Sequence, residues 1–394
     1  MTTTRPTPSN PLGVSTDTIK RRITSIDIMR GLVMLIMLVD HVRERIYYHQ
    51  QVADPMDLDA VNPDLFFTRL LAHWCAPVFV FLTGLSAWLY AHPANKQPRS
   101  ASGFLFKRGL FLLLLEVTLV NFSWFGSYNI LYLQVMWAIG ISMIVLAAAI
   151  KLPFKLVGLI GALIVFGHNA LVPISFSPGE AGYALWTMLH ERGMLIADGP
   201  LPIRVSYPVL PWIGLMMLGY FAGPLYGATM TPAQRKRQLI VIGVSCLSLL
   251  LVLRGFNIYG EILPWAMADT LVGSMMAFLN FTKYGPSLDF MLLTIGSSMF
   301  LLVLFEDRDN KTTEVLKTFG SAPMFFYLLH LYALLVLYAI LMAIFGGNQG
   351  DLFGVDYVWQ VWLVAVILSW LLYYPTKAFA RFKHSSQQAW VKYF

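Results

Sequence analysis

The chain has 394 residues, of which 57% are hydrophobic and only 12% charged. An ordinary soluble domain holds about 45–50% apolar and about 25% charged residues, so the composition excludes one. Apolar runs are continuous rather than alternating, which excludes a membrane β-barrel. The net charge of +7 sits in short clusters at the ends of apolar runs, a pattern that orients a membrane protein rather than binding nucleic acid.

The reading is an all-α polytopic membrane protein of about ten transmembrane helices. Runs of about 17–25 apolar residues can cross a bilayer. They are expected near 24–46, 67–91, 104–122, 129–150, 154–172, 206–226, 238–254, 287–304, 320–345 and 357–375. With the N-terminus cytoplasmic, the inner segments collect 20 of the 28 Lys and Arg, so both termini are expected in the cytoplasm. Residues 1–20 read as a disordered tail rich in Thr, Pro and Ser, 21–380 as one transmembrane domain, and 381–394 as a second tail. The stretch Ile262 to Phe281 is apolar but holds Pro264 and Asp269. It reads as a re-entrant or interfacial segment on the outer face.

The first span carries polar groups that a lipid-facing helix avoids. Asp27, Arg30, Met34, Met37 and His41 step by three and four along one helical stripe, which should face protein or a wet cavity. Arg30 and His41 point the same way about 16 Å apart along the axis. Asp27 and Arg30 fit either a structural ion pair or an anion site toward the cytosol. His41 follows Asp40 near the outer end, fitting a general base or an imidazole snorkelling to the interface. Adjacent residues point about 100° apart, so Asp40 need not be the partner of His41.

Further along, His73 precedes Pro77 by four residues, so the proline leaves the His73 carbonyl free inside the second span. It reads as a second base or as interhelical packing. Tyr207, Pro208 and Pro211 open span 6, and Lys283, Pro286 and Ser287 open span 8 in a similar way. His330 lies about mid-membrane in span 9, after Pro323. It fits a catalytic or relay role and a plain interhelical hydrogen bond equally. Cys75 and Cys246 read as packing; no disulfide framework or metal site is expected.

The motifs Ser25-Ile-Asp27-x-x-Arg30-Gly31, His73-x-x-Ala-Pro77-Val-Phe-Val-Phe-Leu-x-Gly84, Tyr207-Pro-x-x-Pro211-Trp212-x-Gly214, Lys283-Tyr284-x-Pro286-Ser287 and Pro323-x-Phe-Phe-Tyr327-x-x-His330 occur in that order. Together they resemble the heparan-alpha-glucosaminide N-acetyltransferase superfamily of membrane acyltransferases, closest to its bacterial branch. The resemblance implies acetyl transfer from cytosolic acetyl-CoA, without metal, to a sugar amine or hydroxyl across an inner (plasma) membrane. It also implies an active-site histidine, and the loop after span 1 offers His49. On this reading His41, His73, Asp40 and His330 are the catalytic candidates, and Asp27, Arg30, Tyr207 and Lys283 the candidates for holding acetyl-CoA. The bilayer and a small-molecule or glycan acceptor are the expected partners, with a homodimer left open. A proton-coupled transporter relaying through His41, His73 and His330 is the alternative.

Overall fold

The computed structural model describes residues 16–388 and 390–394. In chain order, α1 (Thr16–Ile46) is followed by α2 (Pro63–Leu71) and α3 (Cys75–Ala91), which form one rod through a 3₁₀ turn at Ala72–Trp74. α4 (Ser102–Leu115) passes through a π turn at Glu116–Val120 into α5 (Asn121–Phe125). Then come β1 (Leu131–Leu133), α6 (Val135–Ala149), α7 (Phe154–Gly167), α8 (Tyr183–Leu189), β2 (Gly193–Ile196), β3 (Ile203–Val205) and α9 (Leu210–Phe221). The chain closes with α10 (Pro232–Gly255), α11 (Leu271–Leu279), α12 (Leu288–Glu306), α13 (Lys311–Ser321), α14 (Pro323–Phe345) and α15 (Val358–Ser385). β3 lies between the other strands, parallel to β1 and antiparallel to β2.

Each of the ten expected stretches is helical over most of its length. Among the described residues, six rods are long and apolar enough to cross a membrane. The others are too charged, as α1 is, or are shorter. The rods divide into inner and outer. The crossing window of the α2–α3 rod is 78% buried, whereas that of α14 is 17% buried. The outer rods instead expose Leu159, Leu163, Val244, Leu251, Val336, Ile340, Val366 and Trp370, the apolar surface that lipid covers.

Several boundaries differ from the sequence reading. Residues 1–15 of the expected N-terminal tail lie outside the described residues, and the backbone is helical from Thr16. α15 runs through Pro375 to Ser385 instead of ending near 375, because the proline removes only one backbone hydrogen bond and the basic residues beyond it are good helix formers. Between α10 and α12 the stretch 256–270 is irregular and α11 is only nine residues long, about 14 Å. It is too short to cross a core of about 30 Å. The guanidinium of Arg254 holds this segment by donating to the carbonyls of Ala277 (2.9 Å), Phe278 (3.0 Å) and Asn280 (3.2 Å). Ser287 caps α12 by accepting from the Phe290 N–H at 3.1 Å, and Pro323 fills the first turn of α14.

α1 is the central rod, packed against α3, α12, α13, α14 and α15. Its closest approach is to α13. A Cβ on Gly31 would lie 1.8 Å from the Leu316 carbonyl oxygen, and one on Gly320 would lie 1.7 Å from that of Asp27. Gly84 and Gly219 likewise let α3 and α9 touch backbone to backbone. In lipid, where neighbouring chains are as apolar as leucine, such close contact is what holds helices together. Gly320→Val is therefore expected to cost about 3 kcal/mol or to prevent assembly. Gly103→Val, at a position with nothing within 4 Å, leaves the detergent unfolding midpoint near that of the parent.

Candidate active site

The last turns of α1 open onto a cavity of about 720 Å³ lined by Met37, Asp40, His41, Arg69, Trp124, Tyr207, Lys283, Tyr284 and Tyr327, among others. Its wall is built by unrelated parts of the chain. Asn121 holds β1 in place, accepting from the Tyr132 N–H at 2.7 Å and donating to its carbonyl at 2.9 Å. Ser206 and Tyr207 donate their N–H groups to the Leu133 carbonyl, so the small sheet sets Tyr132 and Tyr207 at the rim. Arg45 donates to the carbonyls of Ser123 (2.6 Å) and Trp124, a cation at the exposed carbonyl end of α5. Asp54 accepts from the N–H groups of Lys283 (3.0 Å) and Tyr284 (2.8 Å), which fixes the strap opposite. Buried Glu116 accepts from the Trp137 N–H at 2.9 Å, tying the π turn to the first turn of α6.

His41 and His330 meet in this site. His41 Nδ1 lies 2.7 Å from His330 Nε2, and His330 Nδ1 lies 2.7 Å from the Phe326 carbonyl oxygen. A carbonyl only accepts, so His330 Nδ1 carries the proton. In the neutral ring its Nε2 is then an acceptor. The proton between the rings therefore sits on His41 Nδ1, which leaves the basic lone pair on His41 Nε2. Among the described residues that nitrogen has no hydrogen-bond partner, and the ring lines the cavity. Trp124 packs edge-on to His41 at 5.1 Å and Tyr327 at 6.0 Å.

Asp40 turns away from His41 to collect cations. Its Oδ1 accepts from Arg43 at 3.0 and 2.9 Å, and its Oδ2 lies 3.5 Å from Arg69 and 3.4 Å from Lys283. Glu44 adds a second carboxylate 3.2 Å from Arg43. Arg43, Arg69 and Lys283 are all buried. Tyr284 is the hub of the opposite wall, with Lys283 (5.3 Å), Arg69 (5.7 Å) and Arg192 (4.8 Å) set around its ring and Tyr207 edge-on at 4.9 Å. Behind it lies a smaller cavity of about 200 Å³, lined by His168, His190, Glu191 and Ser287; Arg192 and Tyr284 line both.

The structure thus gathers His41, Asp40, His330, Tyr207 and Lys283 at one end of α1. His73 is 1% exposed, packs on Phe290 at 5.1 Å and does not line the cavity. His49 packs edge-on to Tyr47. Tyr207 and Lys283, grouped by the sequence reading with Asp27 and Arg30, stand instead with His41. Asp27 and Arg30 pair at 2.9 Å, about 21 and 16 Å from His41 along α1. There Arg30 also donates to Ser86, and Arg108 and Lys383 lie within electrostatic reach. Buried Arg108 Nε has no hydrogen-bond partner among the described residues. Arg43 and Arg69, which the sequence reading does not single out, line the cavity and contact Asp40.

Fold and site together define a helical membrane protein whose central rod carries a histidine dyad into a polar, aromatic-walled cavity. The family model described as heparan-alpha-glucosaminide N-acetyltransferase, catalytic, matches residues 22–253, and the chain belongs to that family. The matched stretch includes Asp27, Arg30, Asp40, His41, His73 and Tyr207, whereas Lys283 and His330 lie beyond it. None of the curated proteins matches the chain.

Removing the carboxylate that three cations share leaves buried charge uncompensated, which typically costs about 3–5 kcal/mol. Asp40→Ala is expected to lower stability by that order. Adding Lys283→Met to it restores part of the loss, read as a favourable coupling in a double-mutant cycle of detergent unfolding.

Proposed function

We propose that the protein is a transmembrane acetyltransferase that takes the acetyl group of cytosolic acetyl-CoA and passes it to an amine or hydroxyl of a sugar at the opposite face. The observation that carries this reading is the histidine dyad. The Phe326 carbonyl fixes the tautomer of His330, His330 fixes that of His41, and His41 Nε2 faces the cavity as a base with no other partner. Family membership supports the acetyl-transfer chemistry.

In the proposed step the acceptor nitrogen or oxygen attacks the thioester carbonyl. The new bond to carbon forms, the carbon–sulfur bond breaks, the acceptor proton passes to His41 Nε2 and CoA leaves as its thiolate, which that proton then neutralises. His330 is a positioning residue. Arg30, Arg108 and Lys383, with the single carboxylate of Asp27 among them, would hold the donor phosphates; the orphaned Nε of Arg108 fits such a ligand. Between the two ends the cavity floor reaches Met37, with buried Met34 one turn further. Both are pliable thioethers that an extended donor arm could displace. The topology that goes with this reading has ten spans within residues 21–380, both termini cytoplasmic and the Arg30 end of α1 facing the cytosol, in keeping with the distribution of Lys and Arg. The α11 segment then lies on the outer face.

Incubation of purified protein with labelled acetyl-CoA and an amino-sugar acceptor tests this. Free CoA should appear only when the acceptor is present. His41→Ala should lower kcat by 10²–10⁴-fold with acetyl-CoA binding retained, and Arg30→Ala should raise KM for acetyl-CoA about tenfold. CoA release that is the same in the parent and His41→Ala would overturn the assignment.

A further inference from the structure

The charges around the cavity do not balance. From this imbalance we infer that the acceptor sugar carries an acid group, a carboxylate or a phosphate, which seats on Arg69 and Lys283 beside His41. The inference rests on the acetyltransferase reading of the cavity and goes beyond it by assigning the acceptor's chemical class.

Five cations line the cavity, Arg43, Arg45, Arg69, Arg192 and Lys283, against two carboxylates, Asp40 and Glu44. A third carboxylate, Asp54, lies behind the wall 3.7 Å from Arg192. Two positive charges are therefore in surplus. They have little access to water: the side chains of Arg69 and Lys283 are each 4% exposed. Uncompensated charge in such surroundings is costly, and a bound anion removes the cost.

The surplus can be located. Arg43 is engaged by Asp40 and Glu44, Arg45 by the Ser123 and Trp124 carbonyls, and Arg192 by Asp54. Arg69 and Lys283 share one long contact each, at 3.5 and 3.4 Å, to the same Asp40 oxygen. Their remaining N–H groups meet no acceptor among the described residues. A guanidinium fork beside an ammonium suits the oxygens of one carboxylate or phosphate. Trp124, Tyr207 and Tyr284 line the same cavity beside them. A neutral amino sugar would leave the surplus in place. The phosphates of the donor are the other source of such an anion, but the Arg30, Arg108 and Lys383 cluster, about 16 Å back along α1 from His41, serves them in the reading above.

The test uses the purified full chain and four amino sugars: glucosamine, its 1-phosphate, its 6-phosphate and muramic acid. Binding without donor is measured by calorimetry, and acetyl transfer by kcat/KM. At least one acidic sugar is expected to bind ten times or more tightly than glucosamine, with affinity falling steeply as salt rises, and to show a matching gain in kcat/KM. Lys283→Met should collapse that preference toward unity and Lys283→Arg should keep it. The salt dependence of the parent protein carries the same information should the variants not fold. Equal binding of all four sugars by the parent would overturn the inference. So would a Lys283→Met protein whose KM for acetyl-CoA rises while the acid preference stays. Acid-selective binding without any acetyl transfer would sink the acetyltransferase reading and keep the anion seat. Transfer to all four sugars at equal kcat/KM would do the reverse.

Discussion

A charged or polar side chain inside an apolar bundle survives only if another helix meets it, and along α1 that requirement is satisfied at two places. Asp27 and Arg30 answer each other near the middle of the rod, where Arg30 also donates to Ser86 of α3. Near its end Asp40 draws in Arg43 from its own helix, Arg69 from α2 and Lys283 from the strap before α12. His41 leans on His330 of α14. The polar edge of one helix therefore dictates which other elements must converge on it, and the cavity is the place where they do.

The frame that permits this convergence is held at short range. Gly31 against Leu316 and Gly320 against Asp27 bring α1 and α13 into backbone contact. The same turn of α1 carries the Asp27–Arg30 pair, so the position of the basic cluster is tied to how closely α13 can approach. At the other end, Arg45 holds the end of α5 and Asp54 holds the strap before α12, each through backbone groups.

Much of this is legible in the sequence alone. Apolar run length located the helices, and the stripe from Asp27 to His41 marked α1 as an interior rod. His330 was visible as a polar group at membrane depth. Its partnership with His41 was not, because residues 289 positions apart reveal nothing of their distance in a linear sequence. His73 read as equally promising, since burial and cavity exposure look alike in a string of letters; only packing separates its contact with Phe290 from the open ring edge of His41. The role of Arg69 was missed for a related reason: near a span end, a cation that fixes topology and one that completes a site have the same sequence signature.

Tyr284 is the partition between the two chambers, its ring held among Lys283, Arg69 and Arg192. Arg192 lines both chambers as well, so a change at either residue reshapes the two spaces together.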